Sequence, residues 1–384
     1  MKKNEVTQEQ FSAPILQGFF KKKVIGIELT DECDLNCICC FTDRGRKSKA
    51  DMIDLGLEPV LLSIDELDKL IKDAKEAGYE SVLCPGQGEP TINRKRFWKF
   101  IDIINKYNMT PIIITNGYWV TFDDAQRLFD SNVTILAKLW TLDQDKNQKM
   151  VRDSLNRNYI EYSNIQIPEG LGNLLKIYTS DDAINKKGYK LALNCVINKL
   201  NKDEILDIIE WVRNQRAIPY FEFIFSSGNA ERDPEFWLDG QGGSSMFDEN
   251  WEVIPGNVEM TEREKIWNAI IEKDKELGFT YKVYPKMRNK AGQHIFDSLL
   301  EKEVKPRRIL INPYGYCVGC VAFDHVLKDH KGKVLNVRTD FSEIVEIKNN
   351  VIPMPEGVCT IGLYTCVADQ QHRKKNFLKQ KGSL

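Results

Sequence analysis

The chain has 384 residues, of which 42% are hydrophobic and 29% are charged, and its formal net charge is −2 at pH 7. This length predicts two or three domains, or one barrel with additions, with enough apolar residues for a large core. The near-neutral charge gives no sign of a nucleic-acid partner, and no apolar run approaches the ~20 residues of a membrane span. Because the polar N-terminal residues are not followed by the apolar segment of a signal peptide, we expect a cytoplasmic protein.

From residue 24 onward, apolar runs alternate with amphipathic helical segments. A capping box of Ser63 and Glu66 begins the first predicted helix, and Gly78 ends it. Six apolar runs predict strands at 24–30, 79–84, 111–115, 133–140, 189–197 and 219–225. Helical spacing predicts further helices at 93–107, 121–131 and 171–184, and after the caps at Asn201 and Thr261. The polar stretch 42–59 is expected to be mobile.

Alternating strands and helices favour parallel strand pairing with right-handed crossovers. Six such units predict an α/β fold, for which a partial (βα)6 TIM-like barrel, an ordinary βα barrel and a doubly wound sheet all fit the period. In βα barrels the chemistry lies at the carboxyl ends of the strands, so the loops there are the places to look for a site.

The ten cysteines fall into an early group, a late group and two isolated residues. In a reducing compartment, clustered cysteines are more often metal ligands than disulfides. Cys84 and Cys195 stand alone in apolar runs, where small buried core residues are expected. The early group is Cys33, Cys37, Cys39 and Cys40, and the late group is Cys317, Cys320, Cys359 and Cys366.

Three of the early cysteines, Cys33, Cys37 and Cys40, stand in a C-x3-C-x2-C spacing in the loop after the first predicted strand. Soft thiolates suit iron–sulfur clusters and zinc, and three ligands leave the fourth coordination position open for chemistry. From the residues alone, a zinc knuckle or a set of redox thiols remains an alternative.

This spacing resembles that of the radical S-adenosylmethionine (radical SAM) superfamily, whose core is a partial (βα)6 barrel. The resemblance implies that Cys33, Cys37 and Cys40 hold a [4Fe–4S] cluster that binds SAM and cleaves it to methionine and a 5′-deoxyadenosyl radical. The residue before the last cysteine is usually aromatic in the family, whereas here it is Cys39, with Phe41 just beyond the motif. We assign Cys39 no ligand role.

Further SAM contacts are implied at the ends of the later strands. Strand two runs into Cys84-Pro-Gly-Gln-Gly-Glu-Pro90, which resembles the family's Gly-Gly-Glu-Pro motif with Gln87 in place of the first glycine. The resemblance implies that the Gly88–Glu89 pair receives the SAM amine, although plain βα turns are also glycine-rich. Ordinary turn or solvent-exposed residues are the alternative for the other implied contacts, which are Asn116, Thr141, Arg152, Asn194 and Ser227.

The late cysteines form two pairs, a C-x2-C knuckle after a predicted strand and a second pair with six residues between its members. Four thiolates suit either a zinc ion or an iron–sulfur cluster. The arrangement resembles the SPASM or Twitch domains of radical SAM enzymes, which hold auxiliary [4Fe–4S] clusters. Because the order of the pairs departs from the usual pattern and only four cysteines are present, the resemblance implies a small Twitch-like domain with one auxiliary cluster at Cys317, Cys320, Cys359 and Cys366.

The predicted organisation has four segments: an N-terminal extension (1–23), a radical SAM barrel (24–230), a lid loop with the last barrel helix (231–305) and an auxiliary cluster domain (306–384). The resemblance implies an oxidoreductase that oxidises a small polar substrate through the auxiliary cluster, with an electron donor such as flavodoxin or ferredoxin. A peptide- or protein-modifying maturase is one alternative. A non-enzymatic zinc-binding adaptor is an alternative of another class.

Overall fold

One eight-stranded sheet organises the computed structural model, which describes residues 24–43, 46–152, 157–224, 229–238, 262–279, 309–318 and 333–349. The strands are β1 (Val24–Ile27), β2 (Ser81–Cys84), β3 (Thr110–Thr115), β4 (Thr134–Lys138), β5 (Tyr159–Tyr162), β6 (Ile165–Pro168), β7 (Leu191–Ile197), β8 (Ile218–Phe223), β9 (Ile309–Ile311) and β10 (Cys317–Val318). The sheet has the order β10-β9-β1-β2-β3-β4-β7-β8, and β5 and β6 form a separate antiparallel hairpin.

Six strands, from β1 to β8 without the hairpin, pair in parallel with their neighbours in chain order. They correspond to the six predicted strands, so the α/β expectation with parallel pairing is confirmed. Parallel pairing places the carboxyl ends of all six strands along one edge of the sheet, which is where the cysteine loop begins.

The helices are α1 (Arg46–Asp54), α2 (Ile64–Glu76), α3 (Arg94–Lys106), α4 (Phe122–Asp130), α5 (Gln144–Val151), α6 (Glu169–Tyr178), α7 (Asp181–Lys187), α8 (Ile205–Asn214), α9 (Asn229–Arg232), α10 (Glu262–Glu276) and α11 (Val337–Asn349). Both halves of the predicted capping box at Ser63 and Glu66 are present. No helix of the described segments is long and apolar enough to cross a membrane.

The stretch 42–59 contains α1, which the fully buried Met52 anchors, and the expected mobility of this stretch stays a prediction. One local prediction was wrong. The single helix expected over 171–184 is two helices, because the Ser180 side chain accepts a hydrogen bond from the Ala183 amide and caps a new helix there.

The core has two layers because side chains alternate across each strand. In β4, Ile135 and Ala137 belong to the large cluster that includes the helix residues, whereas Leu136 packs with Ala192 and Tyr220 on the opposite, inner face. Each fully buried aliphatic side chain contributes about 1.5–3 kcal/mol. The inner face therefore packs its own apolar layer below the carboxyl ends of the strands.

The start of the predicted auxiliary segment extends this sheet. β9 pairs in parallel with β1, and the Glu28 amide donates to the Ile311 carbonyl over 2.8 Å. Gly26 faces its register partner Leu310, where an added Cβ would lie 2.2 Å from the leucine Cδ2. β10 then returns antiparallel to β9 and brings Cys317 next to Ile311. Sequence periodicity did not predict that these strands would join the barrel sheet.

Candidate active site

The cysteine loop follows β1 at the carboxyl edge of the sheet, and its thiols affect one another electrostatically. Burial raises the pKa of the Cys37 thiol, and the neighbouring thiols Cys39, Cys33 and Cys40 raise it further. Burial also raises the pKa of Cys33, and the Glu89 carboxylate raises it further, with a smaller contribution from Cys40. Thiolates gathered in this way repel one another until a cation joins them.

The donor set therefore fits an iron–sulfur cluster. Within the described segments, no three side chains already stand in metal-binding geometry. The fit rests on the chemistry of the donors, which are three thiols of one short loop at C-x3-C-x2-C spacing.

The backbone of this loop is held from two sides. The amides of Asn36 and Ile38 donate to the carbonyls of Val151 and Met150 at the end of α5, over 3.1 and 2.9 Å. On the other side, the Asn229 amide at the start of α9 donates to the Cys40 carbonyl over 2.8 Å. The Asn229 side chain also donates to the Cys37 carbonyl over 2.8 Å. Residues after β4 and β8 thus fix the loop that follows β1.

The loop after β2 lies directly against the cysteine loop. A Cβ added to Gly88 would lie 2.5 Å from the Glu32 carbonyl oxygen, so only glycine fits there without movement of the backbone. The Glu89 amide donates to the same oxygen over 2.7 Å. The buried Glu28 carboxylate accepts from the amides of Gly86 and Gln87 over 3.2 and 3.0 Å. Glu28 was not among the predicted site residues, since nothing local marks a glutamate one residue after a strand.

Glu89 is buried, and its carboxylate joins the loops after β2 and β3. Oε1 accepts from the Thr91 amide, the Thr91 hydroxyl and the Thr115 hydroxyl over 3.0, 2.5 and 2.7 Å. Oε2 accepts from the Asn116 amide over 2.7 Å. Burial raises the pKa of Glu89, while these hydrogen bonds act in the opposite direction. Because Oε2 accepts one of the four bonds, it retains acceptor capacity toward a ligand.

A second carboxylate, that of the largely buried Asp34, was also missed. It accepts from Asn116 Nδ2 over 3.0 Å, from Arg157 Nη2 over 2.7 Å and from the Trp119 indole. The Arg157 guanidinium lies 5.0 and 4.9 Å from the ring centroids of Tyr118 and Trp119. Asp34 immediately follows Cys33, so this network fixes the start of the cysteine loop against the loop after β3. Asp34 and Arg157 are 123 positions apart, and no local pattern links them.

The structure therefore brings Gly88, Glu89 and Asn116 to the cysteine loop. Two other predicted SAM contacts have protein partners: the Thr141 hydroxyl donates to Glu204 over 2.6 Å, and Arg152 pairs with Asp233 over 2.8 Å. Asn194 also has protein partners, Lys138 and Glu222, and Ser227 lies outside the described residues. The roles of all these residues in SAM binding stay predictions.

Of the late cysteines, the described residues include Cys317, while Cys320, Cys359 and Cys366 lie outside them. Cys317 is fully buried in the same hydrophobic cluster as Leu335, and burial raises the pKa of its thiol to about 12. Buried thiols with raised pKa values are usually structural, so a ligand role for Cys317 requires that a metal centre drive its deprotonation.

Residues 27–162 match the family model of the radical SAM superfamily. This chain carries a radical SAM domain. The match runs from the end of β1 through β5 and includes the cysteine loop and the Gly88–Glu89 loop, so the predicted family is confirmed. The family implies a [4Fe–4S] cluster and SAM as the cofactors of this domain.

Relatives and solved structures agree with this assignment. The chain is 28% identical over 206 residues to a GTP 3′,8-cyclase of Helicobacter pylori (strain HPAG1), a match that covers 52% of this chain and 55% of the cyclase. It is 30% identical over 105 residues to the mycofactocin maturase MftC of Mycolicibacterium smegmatis, covering 27% of this chain and 24% of the maturase. The chain thus spans about half the length of the cyclase and less of the maturase.

Among solved structures, Streptococcus suis SuiB bound to its precursor peptide SuiA superposes with a TM-score of 0.55 at 14% identity. The superposition covers 93% of this chain and 75% of SuiB. At this identity the likeness shows a shared fold. The described parallel sheet therefore belongs to a fold that SuiB shares.

We expect Asn229→Ala to loosen the cysteine loop of this radical SAM domain, because the variant removes the side-chain donor to the Cys37 carbonyl. Release of iron from the reconstituted protein to a chelator should be roughly threefold to tenfold faster than in the wild type. Asn173→Ala is the matched control, since Asn173 is also buried and donates to one backbone carbonyl, that of Val120, over 3.0 Å. Equal release rates for the two variants would contradict the holding role of Asn229.

Proposed function

We propose that this chain uses SAM at a [4Fe–4S] cluster held by Cys33, Cys37 and Cys40 to remove a hydrogen atom from a substrate. The observation that carries this proposal is the contact between the three-thiol loop and the Gly88–Glu89 loop at the carboxyl edge of the sheet. When bound, the cluster would supply the electron that cleaves SAM to methionine and a 5′-deoxyadenosyl radical. The barrel holds the donors and excludes water from the reacting carbon.

In this proposal, the loop after β2 receives the amino-acid end of SAM. The close approach of Gly88 lets the backbone of this loop touch the cysteine loop, which sets Glu89 beside the loop that carries the thiols. Glu89 Oε2 keeps acceptor capacity for an ammonium group, and Oε1 is held by Thr91 and Thr115, so the carboxylate is already oriented. Asn116 is fixed by its bond to Asp34 and borders the same space.

We further propose net oxidation of a small polar substrate. The substrate would lose one hydrogen atom to the 5′-deoxyadenosyl radical and then one proton and one electron, with an auxiliary cluster at the late cysteines as the electron acceptor. The similarity to a GTP 3′,8-cyclase, an enzyme whose name gives a nucleotide as its substrate, supports a small polar substrate. A peptide substrate is the second candidate, and the 30% identity to the maturase over 105 residues supports it.

Replacement of Cys33, Cys37 and Cys40 together by alanine should abolish 5′-deoxyadenosine formation, because no open-coordinate cluster can assemble without these thiolates. Anaerobic reconstitution with iron counting and electron paramagnetic resonance (EPR) tests the same site directly. Cys39→Ala is the matched control in the same loop and should retain the cluster. Zinc without iron in the wild-type protein would support a zinc-binding adaptor and remove the enzyme proposal.

Glu89→Gln should weaken SAM binding, since it removes the charge from the predicted acceptor of the ammonium group. The expected loss is about 1.5–3 kcal/mol, the range for a hydrogen bond to a charged group. Equilibrium titration of the reconstituted protein with SAM measures the dissociation constant, and the exposed Glu76→Gln is the control. An unchanged dissociation constant with normal iron content would remove Glu89 from the SAM site.

The oxidation proposal is tested by incubating the reduced protein with SAM and candidate nucleotides, sugars or peptides. Deuterium transfer from substrate into 5′-deoxyadenosine identifies the substrate, and oxidation gives a product two mass units lighter. Variants Cys317→Ala and Cys359→Ala should lose this product and keep SAM cleavage. Full product from either variant would show that the late cysteines do not hold the electron acceptor.

A further inference from the structure

A row of polar side chains crosses the inner face of the sheet at its carboxyl edge. Lys138 ends β4 and has the same orientation as the inward-facing Leu136 two residues before it. Its ammonium group donates to Oδ1 of its register partner Asn194 in β7. The amide nitrogen of Asn194 in turn donates to Glu222 of β8 over 3.1 Å. The fully buried Asn194 thus stands between a lysine and a glutamate.

Lys138 has no ion-pair partner among the described residues, because Asn194 occupies the position between it and Glu222. A half-buried charge is unfavourable unless an opposite charge or several polar groups reach it. The cysteine loop lies beside this group, because Cys37 and Cys39 pack in one apolar cluster with Trp140, whose ring the Lys138 ammonium approaches. A cluster bound by thiolates would supply such a charge.

Trp140 adds a second donor beside Lys138. The Lys138 ammonium lies 5.6 Å from the centroid of the Trp140 ring, and the indole Nε1 is buried without a hydrogen-bond partner among the described residues. Trp140 lies in the apolar cluster that contains Cys39 and packs against Cys37. Its carbonyl accepts from Asn201 Nδ2 over 2.8 Å, so the residue is held in place. A buried donor without an acceptor is costly, and an anionic ligand would satisfy it.

We propose that Lys138 and Trp140 stabilise the reduced state of the cluster held by the cysteine loop. The inference rests on the proposed function, since it requires the cluster at Cys33, Cys37 and Cys40. One-electron reduction adds one negative charge, and a fixed ammonium and an indole N–H nearby favour the more negative state. The potentials of iron–sulfur clusters depend on net charge, hydrogen bonds to sulfur and solvent exposure. Asn194 and Glu222 act as positioning residues, because they orient the ammonium without neutralising it directly.

The test is a potentiometric titration of the reconstituted protein, monitored by EPR. The EPR signal of the cluster at the cysteine loop is identified by its change when SAM is added. The potential of that signal is then measured without SAM. Lys138→Met should lower the equilibrium constant for reduction about tenfold, which is a shift of about 59 mV for one electron. Lys138→Arg should restore most of the wild-type potential. Trp140→Phe keeps the ring without the N–H and should lower the constant about threefold.

Arg127 and Trp98 form a similar cation–ring pair on the helix layer, 4.0 Å apart, and provide matched controls. Arg127→Met and Trp98→Phe should leave the potential unchanged. A wild-type potential in Lys138→Met with normal iron content would overturn the inference while the proposed function stands. If Lys138→Met does not load iron, an unchanged potential in Trp140→Phe would overturn it instead. A wild-type protein that assembles no iron–sulfur cluster would overturn both proposals.

Discussion

The candidate site depends on one close contact between the loops after β1 and β2. The Glu32 carbonyl accepts from the Glu89 amide over 2.7 Å, and Gly88 lies so near that an added Cβ would be 2.5 Å from the same oxygen. This contact sets the thiols of one loop beside the carboxylate of the next. It is possible because parallel pairing brings the carboxyl ends of neighbouring strands to one edge, while the missing side chain lets two backbones touch.

Three buried or largely buried carboxylates then hold the remaining loops around this contact. Glu28 holds the turn at Gly86 and Gln87, Asp34 holds the loop after β3, and Glu89 joins β2 to β3. A buried carboxylate is unfavourable unless several donors reach it, and here most donors come from a neighbouring loop. The hydrogen bonds that offset the cost of burying these carboxylates therefore also fix the geometry of the loops. Glu89 has a structural role in addition to the ligand role proposed for it.

The described part of the late segment is fastened to the barrel. β9 continues the sheet beside β1, and Arg338 of α11 donates to Glu66 of α2 over 2.5 Å and to the Tyr314 carbonyl over 2.7 Å. The Arg338 contact is the main reason that the pKa of Glu66 is lowered. Cys317 consequently lies in a hydrophobic core shared with the barrel, and the environment of its thiol is set by both parts of the chain.

The sequence by itself determined the six parallel strands and most of the helices between them. Buried positions recur along a helix or strand at a fixed spacing, and the order of apolar and polar residues shows that spacing. It also determined the thiol spacing and the Gly88–Glu89 turn, since both are short motifs. Only the tertiary structure decided that β9 joins β1, that Arg157 meets Asp34, and that Asn194 stands between Lys138 and Glu222. These partners are distant in the chain, and strand order and register decide which of them meet. The same reason explains why Thr141 and Arg152, assigned by motif position alone, have Glu204 and Asp233 as their partners.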